Sequence, residues 1–211
     1  LDGKGKFGPQ EIVSTASYVR SVCAADVDGD GDLDLISGGM GIVWHENLGG
    51  KGSFGLPKVV SVYGVDHDNW GVVAADLDKD GDVDLVTVDH NKLAWYENTD
   101  GKGTFGMQKV VSTLTGGRSV IAADFDGDGN LDLASADNTG SEISWYKNTD
   151  GKGNFGIQMV VWNFDIGSEG PYDTSAVLAA DIDDDGDLDL VSIFHHGLAW
   201  YENADGTGIF G

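Results

Sequence analysis

The 211-residue chain has one cysteine, three prolines and only 12 lysines and arginines against 36 aspartates and glutamates. With Cys23 alone, no intramolecular disulfide can form, so redox chemistry does not report the compartment. Cys23 lies in the apolar run Val22-Cys23-Ala24-Ala25 and reads as a small buried core residue. No apolar stretch reaches 18 residues, so no transmembrane helix is expected. The net charge of −24 excludes a nucleic-acid partner, whose phosphates need Lys and Arg, and disfavours an anionic membrane surface. The chain opens on Leu1 with no signal peptide, which reads as a processed form or part of something longer. Strong helix formers are sparse, whereas glycine is abundant at 33. Gly-rich turns between short Val/Ile/Leu/Trp runs point to an all-β fold.

What is present is a repeat. Ala-Ala-Asp occurs at 24–26, 74–76, 122–124 and 179–181. Each copy is followed by a Trp string: Trp44-His45-Glu46-Asn47, Trp95-Tyr96-Glu97-Asn98, Trp145-Tyr146-Lys147-Asn148 and Trp200-Tyr201-Glu202-Asn203. Phe-Gly follows at 54–55, 105–106, 155–156 and 210–211, with an extra Phe7-Gly8 near the start. Each unit reads as four short strands, for example Ser119–Ala123, Leu85–Val88, Leu93–Tyr96 and Lys109–Ser112. Four strands in a period near 50 residues make one propeller blade. The expected fold is a single β-propeller domain over 1–211, with repeats at about 15–61, 62–112, 113–162 and 163–211. The recurring Trp is expected to pack between blades.

Twenty of the 36 acids fall in four short loops. Acid at that density repels itself unless a cation neutralises it. The loops run Asp26, Asp28, Asp30, Asp32, Asp34; Asp76, Asp78, Asp80, Asp82, Asp84; Asp124, Asp126, Asp128, Asn130, Asp132; and Asp181, Asp183, Asp185, Asp187, Asp189. Carboxylates stand at positions 1, 3, 5 and 9, and Gly at 6 permits a sharp turn. Position 7 offers a backbone carbonyl, so Asn130 serves there as well as Asp. Such an oxygen-rich, flexible shell suits Ca²⁺; Mg²⁺ asks for stricter octahedral geometry and Zn²⁺ for Cys and His. An EF-hand needs flanking helices and Glu at position 12, where this chain has Ser37, Thr87, Ser135 and Ser192. The expectation is about four calcium ions, one per repeat.

These loops and strings resemble the FG-GAP (VCBS) repeats of integrin α-subunit propellers and of some fungal lectins. The resemblance implies a structural calcium ion within each blade, between its first two strands, held by the Asp residues at positions 1, 3, 5 and 9. Family propellers usually have seven or eight blades, and this chain has four. Residues 7–14 match the fourth-strand segments at 54–61 and 105–112, so they are expected to complete the last blade. Three arrangements follow: a small four-bladed ring, half of a dimeric eight-bladed ring, or a fragment of a longer propeller.

No Ser/His/Asp order, phosphate-cradling loop or Cys nucleophile stands out, and most acids are committed to the metal loops. The reading is therefore a non-catalytic, extracellular binding or scaffold module for a glycan or protein ligand. The alternatives are a structural block of a large assembly or a fragment of a polysaccharide-active lyase or dehydratase. Recognition is expected on the variable connections between blades, at Tyr18, Arg20, His67, Trp70, Arg118, Trp162 and Tyr172.

Overall fold

The computed structural model describes residues 8–62, 69–139, 141–163, 174–194 and 197–211. Fifteen strands form four antiparallel sheets, with no helix among the described residues. Blade 1 comprises β1 (Ser21–Ala25), β2 (Asp34–Gly38), β3 (Gly41–His45) and β4 (Lys58–Val62). Blade 2 comprises β5 (Asn69–Ala75), β6 (Asp84–Asp89), β7 (Lys92–Tyr96) and β8 (Lys109–Thr113). Blade 3 comprises β9 (Gly117–Ala123), β10 (Asp132–Asp137), β11 (Glu142–Tyr146) and β12 (Met159–Asn163). Blade 4 has three strands: β13 (Ala176–Ala180), β14 (Asp189–Phe194) and β15 (Gly197–Tyr201). Each sheet is a simple meander in chain order, the blade pattern expected from the repeat. Residues 8–14 form no strand, so within this chain they do not complete blade 4.

The first strands line up side by side, β1 on β5, β5 on β9 and β9 on β13. Their Ala-Ala pairs leave room for this crowding. No comparable contact returns from β13 to β1, so the four blades form an open arc. In blades 1–3 the register slips by one residue between the third and fourth strands, at Ile42/Val43, Leu93/Ala94 and Ile143/Ser144. Such bulges bend and twist the outer strand.

The core is divided into three clusters, one per interface between blades. Val27, Ile36, Ile42 and Trp44 of blade 1 meet Val72, Leu85 and Tyr96 of blade 2. Leu77, Val86, Leu93 and Trp95 of blade 2 meet Val120, Leu133 and Tyr146 of blade 3. Phe125, Ala134, Ile143 and Trp145 of blade 3 meet Val177, Leu190 and Tyr201 of blade 4. Each Trp lies against a glycine of the next blade's third-to-fourth-strand turn. A Cβ on Gly103, Gly153 or Gly208 would come within 2.2–2.3 Å of Trp44, Trp95 or Trp145 respectively. All three glycines have φ between 71° and 78°, a region L side chains enter only at a cost.

Candidate metal and recognition sites

Each metal loop links the first two strands of its blade, and local hydrogen bonds wind it tightly. In loop 1 the Asp26 carboxylate accepts from the backbone N–H groups of Asp30 and Gly31 at 3.1 and 2.9 Å. Asp30 accepts from Asp32 N–H at 2.9 Å. The position-9 aspartates Asp34, Asp84, Asp132 and Asp189 are fully buried. Asp84 accepts from Leu77 N–H at 3.1 Å and Asn98 N–H at 2.9 Å, and the other three make the same pair.

The carboxylates converge as the spacing requires. One oxygen each from Asp26, Asp28 and Asp34 lies within 4.8 Å of the others, and the same holds for Asp76, Asp78, Asp84 and for Asp124, Asp126, Asp132. In loop 4 the converging set is Asp181, Asp183 and Asp185. Four clusters, one per repeat, can thus hold a metal ion. Asp28 Oδ1, Asp76 Oδ1, Asp78 Oδ1 and Asp124 Oδ1 are buried and accept no hydrogen bond. A buried carboxylate oxygen without a donor is strongly disfavoured unless a cation faces it, so the residues fit a metal in loops 1–3 on this ground as well. Position 5 of loops 1–3 caps the turn through its own side chain. Position 7 points away: Asp32, Asp82, Asn130 and Asp187 lie against Gly50, Gly101, Gly151 and Gly206.

Loop 3 departs from the others. In blades 1 and 2 the Trp string carries Glu, and the fourth strand carries a Lys opposite the Trp. Lys58 pairs with Glu46 at 2.7 Å and Lys109 with Glu97 at 2.5 Å, each ammonium lying 4.0 Å over its Trp ring. Blade 3 has Lys147 in place of Glu and Met159 in place of Lys. With no such Glu–Lys pair to join, Lys147 turns into the loop and pairs with Asp126 and with Asp128, the latter at 3.1 Å. Those salt bridges push the Lys147 ammonium above its ordinary range. A protein cation already sits among the ligands of this loop.

The Asn closing each Trp string is a participant that the residue pattern alone did not single out. Its amide donates to the position-8 carbonyl of its own loop, Leu33, Val83, Leu131 or Leu188. In blades 2–4 it also donates to the position-2 carbonyl of the preceding loop. Asn98 reaches Val27 O at 2.9 Å, Asn148 reaches Leu77 O at 2.8 Å and Asn203 reaches Phe125 O at 2.7 Å. Only the in-register recurrence of Asn could have hinted at this.

In the metal-free chain, burial pushes Asp84 up to about 7 and Asp132 up to about 6. The native state then keeps protons that the unfolded chain releases near pH ~4. It binds more protons than the unfolded state between about 4 and about 7, so stability falls as pH rises through that window. Metal binding needs these carboxylates ionised, so stabilisation by calcium is expected to grow over the same range. Melting curves with and without chelator across this window check both slopes. Metal-free stability that rises with pH would contradict the assignment.

The residues expected to recognise a ligand separate into groups. Arg20, Trp70 and Arg118 come together at the start of the first strands of neighbouring blades, Arg20 just before β1, Trp70 on β5 and Arg118 on β9. The Arg20 and Arg118 guanidiniums lie 4.0 and 3.7 Å from the Trp70 ring centroid. They flank Trp70 from blades 1 and 3, so both faces of the indole are covered. Tyr18 is exposed, with φ of 60°. Trp162 lies elsewhere, on β12, with its ring 6.1 Å from that of Tyr201. His67 and Tyr172 lie outside the described residues. Burial pushes the Cys23 thiol up to about 11, so it is no thiolate nucleophile at neutral pH. Among the described residues no helix is long and apolar enough to cross a membrane.

The FG-GAP-like repeat family matches residues 1–37, 76–135 and 124–192. The chain belongs to this family of β-propeller repeats. No curated protein matches it. Among solved structures it is similar to an Agrocybe aegerita lectin described by its specific recognition of non-reducing terminal N-acetylglucosamine. The identity is 24% and the TM-score 0.66, over all of this chain and 58% of the lectin. It is also similar to the V. cholerae biofilm matrix protein Bap1, at 19% identity and a TM-score of 0.50, over 89% of this chain and 27% of that one. At these identities the likeness shows the fold, and the chain spans a little over half of the lectin's length.

Proposed function

We propose that the chain is a calcium-stabilised, non-catalytic recognition module working outside the cell, with the face around Arg20, Trp70 and Arg118 taking a glycan or protein ligand. The observation that carries this reading is the convergence of the chain's only two arginines on one indole. In a chain of net charge −24, this is a local concentration of positive charge on one face, the kind of contrast that singles out a recognition patch from an acidic surface. A guanidinium stacked by its face directs its N–H groups in its own plane, a geometry that suits hydroxyl, amide or carboxylate oxygens. A sugar cannot lie flat on Trp70, as an exposed aromatic would allow; Trp70 instead sets the spacing of two donors. The likeness to a lectin propeller supports a glycan, with terminal N-acetylglucosamine as the first probe. Calcium-dependent extracellular modules work at the cation concentrations found there, which suits partly exposed carboxylate clusters.

A glycan array, with immobilised extracellular proteins beside it, tests this. The double variant Arg20→Ala/Arg118→Ala is expected to lose binding by about 10-fold or more, while calcium content and melting temperature stay near those of the parent. Full binding by the double variant would remove this face from the function.

A further inference from the structure

Trp70 has no open ring face. Arg20 covers one side and Arg118 the other, so neither a sugar ring nor an apolar side chain has a platform to stack on. What the face offers a ligand is the edge of a guanidinium. Arg20 is engaged beyond the ring. Arg118 is not: among the described residues it stacks on Trp70 and makes no ion pair or hydrogen bond. Its N–H donors, set in a fixed fork, are unused. The composition makes this telling. Acids outnumber bases 36 to 12, and Lys58, Lys92, Lys109 and Lys147 each pair with a carboxylate.

The sheet register sets two carboxylates beside the site. Asp89 stands opposite Asn69, the residue before Trp70, and Asp137 opposite Gly117, the residue before Arg118. Both are buried, at 3% and 7% exposed. Asp89 accepts from the N–H groups of Asn91 and Lys92 at 2.7 and 2.9 Å, with the Lys92 ammonium 3.8 Å away. Asp137 accepts from the Thr115 N–H and hydroxyl at 2.8 and 3.3 Å. Each carboxylate is held by a chain connection, and neither pairs with Arg118. The fold brings an arginine and two aspartates to the same end of adjacent strands and keeps them apart.

The chain leading into Arg118 is fixed. A Cβ on Gly116 would come within 2.4 Å of Thr139 Oγ1, and one on Gly117 within 2.4 Å of Val88 Cγ2. Asn138 N–H donates to Gly116 O at 2.9 Å, tying the β10–β11 connection to the same segment. With its backbone clamped and its guanidinium stacked, Arg118 gives up little freedom when a ligand arrives. Around it, Thr115 and Thr139 are exposed and Asn138 half-buried. These are hydroxyl and amide groups, which suit sugar hydroxyls. The large apolar anchors that hold a peptide are not among them.

We propose that this face takes a carboxylate-bearing sugar, a uronic acid within a glycan, with the carboxylate seated on the Arg118 fork and sugar hydroxyls on Thr115, Asn138 and Thr139. The inference rests on the reading of the Arg20–Trp70–Arg118 face as the ligand site and narrows its ligand class. A planar carboxylate meets a guanidinium edge in two parallel hydrogen bonds. A phosphate monoester would bring up to twice the charge to a chain of net −24, which repels it more strongly. Trp70 and Arg20 are positioning residues: the indole holds the Arg118 plane, and Arg20 backs the indole from blade 1.

Calorimetry in calcium tests this with uronic-acid oligosaccharides of gluco, galacto and manno configuration. Each is compared with the same oligosaccharide after its carboxyls are reduced to alcohols or methyl-esterified. At least one acid form is expected to bind about 10-fold or more tighter than both of its neutral forms. Arg118→Gln keeps the stem on Trp70 and removes the charge; it is expected to bring the acid form down to the neutral level, with calcium content and melting temperature near those of the parent. Arg118→Lys is expected to keep part of the preference. A parent that binds no uronate, or binds acid and neutral forms alike, overturns the proposal. So does an N-acetylglucosamine oligomer or a sulfated oligosaccharide that binds tighter than any uronate. An oligoglutamate that binds as tightly as the best uronate overturns the sugar assignment. Binding that Arg20→Ala/Arg118→Ala abolishes but the carboxylate does not affect leaves the recognition face standing and overturns this inference alone.

Discussion

Chelating divalent cations is expected to lower the melting temperature by about 10 °C or more, and added calcium is expected to restore it. A ligand that binds only the folded state stabilises by mass action, ~2.7 kcal/mol per site at 100-fold over the dissociation constant. For a chain of this size each kcal/mol is worth roughly 2–4 °C. Several sites therefore add up to a large shift even if none is tight. Without the cation, the buried Asp28, Asp76, Asp78 and Asp124 Oδ1 atoms each lie among the other carboxylates of their own loop without a hydrogen-bond partner. A calorimetric titration is expected to resolve the loops into a stronger group and one weaker site, loop 3, where Lys147 already pairs with Asp126 and Asp128. Lys147→Glu is expected to bring that site level with the others. A melt indifferent to chelator sinks the metal assignment as a whole. Four equal sites in the parent would sink only the part resting on Lys147.

Gly103→Ala is expected to cost ~3 kcal/mol or more. The new Cβ meets Trp44 at 2.2 Å, with the ring fully enclosed by the interface of blades 1 and 2. Overpacking of that kind costs about 1–3 kcal/mol, and a φ of 78° adds roughly 1–2 kcal/mol for any L side chain. Gly52→Ala at φ 76° carries the same backbone penalty without the collision, because nothing stands within 4 Å in the single chain. Denaturant unfolding in calcium, on dilute samples, separates the two contributions. Equal losses at the two positions would mean that φ alone decides. Gly153→Ala, under Trp95, is expected to behave like Gly103→Ala.

The strands and loops were legible because both follow from spacing. Asp at alternate positions with Gly at 6 converges whatever the rest of the fold does, and Trp44, Trp95 and Trp145 recur where only an interface between blades can bury them. Relations between units were not legible. Lys147 reads in the sequence as a Glu-to-Lys exchange, and only the simultaneous loss of a Lys opposite Trp145 frees it to enter loop 3. Arg20, Trp70 and Arg118 share a position six residues before their loops, which placed them on one face, but not that two would cover the third. Residues 7–14 were expected to complete blade 4, but residues 8–14 form no strand and blade 4 keeps three among the described residues, because likeness to a fourth-strand segment says nothing of which blade edge that segment reaches.

The Asn98, Asn148 and Asn203 amides, each spanning two loops, make the four candidate metal loops a one-dimensional array with nearest-neighbour coupling. Filling one loop fixes the carbonyl that orients the next blade's Asn, which in turn holds the backbone of the loop beside it. Occupancy should then spread along the arc like a zipper, favouring runs of filled or empty loops over scattered ones. The weak third position would act as a fuse: on falling calcium it empties first and leaves blades 1 and 2 as one block and blade 4 as another.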